Sequence, residues 1–136
     1  MIKVDSNELQ KLYIAYFGRP GDPSGINYWL SRAKESITIR EISNELSRQD
    51  EYTQNISNDK SFDFKINKLY LNLFNRKADF DGLNYWMEMV KNKDYQISDI
   101  LHDLLYLINK PYSINCETEN NDIRILKNKI SAAELF

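Results

Sequence analysis

Two stretches of the chain set an arginine, an aspartate and a glycine three residues apart. They are Arg19, Asp22 and Gly25, then Arg76, Asp79 and Gly82. A guanidinium is a planar fork that matches a carboxylate or phosphate, and an aspartate serves either as a helix cap or as an acceptor for hydroxyls. Each stretch runs on into the same three residues, Asn27-Tyr28-Trp29 and Asn84-Tyr85-Trp86. An aromatic ring beside polar groups can stack on the apolar face of a sugar. Arg19, Asp22, Asn27 and Tyr28, with Arg76, Asp79, Asn84 and Tyr85, are therefore the candidate contacts for a polar polymer. The simpler role for the same residues is structural. Asp22 and Asp79 each cap a helix, and each arginine pairs with its aspartate or with a terminal carbonyl.

Metal and catalytic chemistry find less support. Asp79-Phe80-Asp81-Gly82 opens like a calcium loop, with Asp79 and Asp81 as the metal candidates. A loop counted from Asp79 puts Val90 at the twelfth position, where a bidentate glutamate belongs. Calcium is thus the lesser reading of this loop, and no other cofactor is indicated. His102 has no companion histidine or nucleophile motif, and Cys116 sits beside Glu117 and Glu119, which disfavour a thiolate. One cysteine and one histidine cannot build a structural zinc site. No glycine-rich phosphate cradle occurs, so the sequence reads as a non-enzyme.

The elements that position these residues come in two copies. Residues 12–30 and 69–87 align at an offset of 57, and nine of the 19 positions are identical. The likeness continues at an offset of 58 through Ile39, Ile42 and Leu46, matched by Ile97, Ile100 and Leu104. Each copy reads as helix, tight loop, helix, connector, helix. Leu9, Leu12, Tyr13, Tyr16 and Phe17 make the stripe of an amphipathic helix, repeated by Ile66, Leu69, Tyr70, Leu73 and Phe74. The next helix opens at Asp22-Pro23 and should bury Ile26, Trp29, Leu30 and Ala33. Its counterpart should bury Leu83, Trp86, Met87 and Val90. Tyr28 and Tyr85 fall one residue round the helix and should be partly exposed. Thr38-Ile39-Arg40-Glu41 is a capping box that starts a third helix. Pro111 to Asn121 reads as a polar loop before a last helix near Asp122 to Leu135, with Ile123, Leu126, Ile130 and Ala133 on one side.

The expected fold is all-α: two pseudo-symmetric multi-helix repeats packed into one domain, plus a C-terminal helix. A single domain spans 1–136, with repeat one at about 5–57, repeat two at about 61–112 and the last helix at about 122–135. The 136 residues carry a net charge of −2, without the basic excess that drives binding to nucleic acid. The longest apolar run, Leu104 to Ile108, is far too short to span a membrane. Met1 to Ser6 shows no apolar signal-peptide core, so the chain is either cytoplasmic or exported without an N-terminal signal.

With both copies laid out, Leu-Tyr…Phe-Gly-Arg…Asp-Pro-x-Gly…Tyr-Trp resembles domain of unknown function 4214 over about residues 9–108. That family occurs in bacterial extracellular proteins, often repeat-rich toxin-like or surface-layer proteins exported by type I secretion. The N-terminal position also resembles the anchoring region of Gram-negative surface-layer proteins. A more distant likeness is to the helical domain of phycobilisome linker polypeptides. The resemblance implies a non-catalytic anchor on the outer cell surface that binds lipopolysaccharide or another surface polysaccharide, with calcium common in such lattices. Self-association or other surface proteins are further partners it implies. The alternative is a protein-interaction scaffold, linker-like or part of a phage particle, which would be cytoplasmic. Copy two departs from the pattern with Asn75 in place of Gly18 and Lys77-Ala78 in place of Pro20-Gly21.

Overall fold

The stripe that begins at Leu9 becomes helix α1, Ser6–Phe17, and the stripe that begins at Ile66 becomes α5, Phe62–Phe74. Both start on a side-chain cap, since Asp5 accepts from Glu8 N (2.8 Å) and Ser61 accepts from Phe64 N (3.3 Å). Leu9, Leu12, Tyr16, Ile66, Leu69 and Leu73 are buried where the two helices pack on each other. The fold is a computed structural model that describes residues 4–54, 60–109 and 117–135. Those residues form eight helices and no strand, so the fold is all-α. No helix among them is long and apolar enough to cross a membrane.

The remaining helices are laid around α1 and α5. Helix α2, Pro23–Ala33, packs on α1, and α6, Phe80–Lys93, packs on α5. Helix α3, Ile39–Leu46, lies against α1, and α7, Ile97–Asn109, lies against α5 and α3. The capping box at Thr38 forms as expected: Glu41 N donates to Thr38 Oγ1 (3.1 Å), and Thr38 N donates to Glu41 Oε1 (3.3 Å). A short turn, α4 at Asp50–Tyr52, sets Tyr52 edge-on against Tyr16 at 5.1 Å. The last helix, α8 at Glu117–Ala133, rests across both α1 and α5 and buries Leu126, Ile130 and Ala133.

Two polar bonds tie α1, α5 and α8 together. Asn72 Nδ2 donates to Ala15 O (2.9 Å), and Lys129 Nζ donates to Asn72 O (2.6 Å). Partial burial lowers the Lys129 ammonium below its usual pKa.

The structure corrects three sequence expectations. The last helix starts at Glu117, so residues 117–121 of the expected loop are helical, while 111–116 lie outside the described residues. Polarity had argued for a loop, but acidic residue types suit a helix start, where the backbone dipole favours negative charge. Helix α4 was not expected, because a three-residue turn is too short for any periodicity to show. Helices α2 and α6 bury less than their stripes implied. Of Ile26, Trp29, Leu30 and Ala33 only the first two are buried, and of Leu83, Trp86, Met87 and Val90 only Trp86 is. Each of these helices packs mainly on a single neighbour, α1 or α5, which covers one row of side chains.

Turn chemistry recurs at equivalent positions. Gly18 and Asn75 both end their helices in the left-handed region, at φ 68° and 61°. The change from glycine to asparagine therefore keeps the same backbone, since asparagine tolerates that conformation better than most residues. Ser36 and Asp94, after α2 and α6, share it too, at φ 75° and 55°.

Candidate functional site

Both arginine forks are filled from within the chain. Arg19 Nε and Nη2 donate to the two carboxylate oxygens of Glu51 (2.9 and 2.6 Å), and Nη1 donates to Pro20 O (2.9 Å). Arg76 repeats this on Asp122 (3.0 and 2.7 Å), with Nη1 on Lys77 O (3.0 Å). The paired carboxylates raise both guanidinium pKa values still further, against a smaller opposing effect of burial. Neither arginine pairs with the aspartate three residues on. In copy one the carboxylate comes from α4 and in copy two from α8, so α8 stands in for α4 at this contact. The partner lies 32 residues away in one case and 46 in the other, which no local spacing announces.

The two aspartates differ. Asp79 caps α6 through its side chain, accepting from Gly82 N at 2.8 Å. Asp22 holds the same position ahead of α2, but its carboxylate accepts from Ser24 Oγ (2.9 Å) and makes no cap bond. With one Asp79 oxygen on the cap, Asp81 is the other calcium candidate. Among the described residues no three His, Cys, Asp or Glu side chains come together to hold a metal ion.

Below the loops each copy builds the same buried pair. Trp29 Nε1 donates to Tyr13 OH (3.1 Å), and Trp86 Nε1 donates to Tyr70 OH (2.9 Å). Burial pushes both tyrosine hydroxyls above their usual pKa, while the indole N–H pulls the other way. The arginines cover the same rings, Arg19 at 5.9 Å from Tyr13 and Arg76 at 5.3 Å from Tyr70. Gly25 leaves no room for a side chain, because a Cβ there would sit 2.8 Å from Tyr13 OH. Gln10 closes the first loop by accepting from Gly21 N (2.8 Å), and Asn67 does so in the second from Ala78 N (3.1 Å). Those two polar residues sit at equivalent positions of α1 and α5, 57 residues apart, a signal present in the sequence.

What stays open to a ligand is the tyrosine above each tryptophan. Tyr28 is 54% exposed and Tyr85 51%, each edge-on to its tryptophan at 4.9 Å. Tyr28 and Trp29 line a shallow cleft of about 310 Å³ with Glu45, Arg48 and Gln49. Arg32 stacks over Tyr28 at 5.7 Å and is paired with Glu45 (2.8 Å). Arg48 has no ion-pair partner among the described residues. Asn27 does not join this cleft; it opens on a separate groove beside α2. Glu45, Arg48 and Gln49 went unnoticed in the sequence because they come from the end of α3 and the turn after it. In copy two the positions of Arg48 and Gln49 hold Tyr106 and Leu107, so the two tyrosine surfaces are chemically different.

Fold and site together define an all-α protein whose repeated loops are locked by arginine–carboxylate forks over tyrosine–tryptophan pairs. Residues 41–104, a little under half of the chain, match the family model of the Domain of unknown function (DUF4214). The match runs from α3 into α7 and takes in the second arginine loop but not the first. No curated protein and no solved structure matches the chain.

Proposed function

We propose that the chain is a non-catalytic module that binds a surface polysaccharide such as lipopolysaccharide O-antigen. It would anchor a surface-layer-like or type I-secreted protein to the outside of the cell. One observation carries this reading: the exposed Tyr28 ring, fixed against Trp29, stands over a cleft with Glu45, Arg48 and Gln49. The C–H face of a sugar stacks on such a ring, and its hydroxyls meet a carboxylate, an amide and a guanidinium within one short reach. Of the candidate contacts, Tyr28 is kept. Arg19 and Arg76 serve the protein's own carboxylates, and Asp79 serves α6. A shallow cleft binds weakly, so strength would come from a repeating polymer meeting many copies.

The test is titration of the protein with O-antigen polysaccharide, with and without calcium, read by isothermal calorimetry. Tyr28→Ala and Arg48→Ala should each weaken binding about tenfold, the loss of roughly 1.4 kcal/mol in contact energy. Tyr85→Ala should leave it intact, because copy two has Tyr106 and Leu107 in place of Arg48 and Gln49. Parent-like binding by Tyr28→Ala, or none by the parent, would remove the glycan reading. A calcium requirement would restore Asp79 and Asp81 as metal candidates.

A second reading, a protein-interaction scaffold, draws on a different observation. Phe80, Tyr85, Tyr106 and Leu107 are exposed on copy two at 78, 51, 53 and 37%. Exposed apolar side chains in such number suit a protein partner better than a sugar. Pull-down of a partner that Tyr85→Ala abolishes and Tyr28→Ala spares would favour it.

A further inference from the structure

We propose that the groove beside α2 binds a single-chain fatty acid. Much of its lining is apolar: Val4, Leu30, Ala33, Ile37 and Ile39 border an open groove of about 1190 Å³. That is at least as roomy as the roughly 300–1,000 Å³ of ordinary small-ligand pockets, so a single alkyl chain fits within it. Leu30 and Ala33 belong to the stripe that should have been core, yet both are only half-buried. Two positions of this lining are bulkier in copy two. Val90 and Tyr95 stand where copy one has Ala33 and Ile37, while Met87 matches Leu30 in volume. The groove is thus a place where copy one gives up side-chain volume.

Charge names the head group. The chain has more acids than bases, 20 against 18, yet among the described residues no carboxylate lines this groove. Its rim carries Lys34, Arg40 and His102. Arg40 is paired with Asp99, whereas Lys34 has no partner among the described residues. An apolar floor below an unpaired ammonium matches an alkyl chain that ends in a carboxylate, with Ser36 in the same lining as a hydroxyl donor. The groove shares no lining residue with the Tyr28 cleft, so this inference stands apart from the glycan reading.

The experiment follows the methyl resonances of Leu30, Ala33, Ile37 and Ile39 during titration with dodecanoate below its critical micelle concentration. Saturable shifts of these methyls are expected. Lys34→Ala should weaken dodecanoate about fivefold, the upper range for an exposed ion pair, and leave binding of dodecyl maltoside unchanged. Ala33→Val with Ile37→Tyr imports the side chains of copy two and should abolish both, while circular dichroism shows the helices retained. Vesicles of phosphatidylglycerol should not bind. The idea fails if the methyls do not move, if Lys34→Ala binds dodecanoate as the parent does, or if vesicles bind where free dodecanoate does not.

Discussion

At the scale of single residues, Asp22 and Asp79 look interchangeable and are not. Asp79 satisfies the free Gly82 N–H in the first turn of α6, whereas the Asp22 carboxylate is turned to Ser24. Asp79→Ala should therefore cost about 1 kcal/mol, the usual loss for a helix cap. Asp22→Ala should cost less than about 0.5 kcal/mol, as for an ordinary exposed position. Urea unfolding of the two variants decides it, and equal losses would mean that Asp22 caps α2 in solution. The sequence supports a cap at both sites, because an aspartate at a helix start is a local pattern. It could not separate them, since the difference lies in Ser24, which copy two replaces with Asp81. The arginines were harder still. Their residue type announced a fork, but Glu51 and Asp122 reach them only through the tertiary fold.

At the scale of the helix and its turn, the left-handed residues after α2 and α6 are the weak points. Ser36 and Asp94 carry a Cβ in a conformation that costs an ordinary residue roughly 1–2 kcal/mol. Glycine relieves that strain but loses about 0.5–1 kcal/mol of chain entropy. Ser36→Gly and Asp94→Gly should each stabilise by a few tenths to about 1 kcal/mol, read as a higher denaturation midpoint. Gly18→Ala should do the opposite, because a Cβ there meets Asn72 Oδ1 at 2.9 Å as well as the left-handed backbone. A loss of stability in Ser36→Gly would show that its side chain is needed at the turn. The long helices were legible because α1, α5 and α7 bury a broad stripe, and periodicity reports burial. Helices α2 and α6 carry the same pattern with half the burial, since a pattern states which face is apolar and not how many neighbours cover it.

At the scale of the whole molecule, the core is rich in tyrosine. Burial raises the hydroxyl pKa of Tyr13, Tyr16, Tyr52 and Tyr70, and the bond to Asp103 with burial pushes Tyr95 up to about 12. A raised tyrosine pKa keeps its full contribution to stability below the ordinary value of 10.0. Above that pH the unfolded chain releases protons that the folded chain retains, so stability falls as pH climbs toward the folded values. Absorbance at 295 nm should still be rising beyond pH 11, and its last part should coincide with loss of helical circular dichroism. Complete ionisation by pH 11 with the helices intact would contradict the buried tyrosine arrangement. The same core has an order of assembly written into it. Copy one finds its carboxylate in α4, soon after its arginine has been made, whereas copy two waits for Asp122 in α8. On the ribosome, copy one can therefore close its loop while copy two is still being translated. Arg76 keeps an unmatched charge, and the seam between α1 and α5 keeps one side uncovered, until α8 has cleared the exit tunnel. A nascent chain stalled before residue 117 would thus hold one locked loop, one unlocked loop and a seam still open on one side.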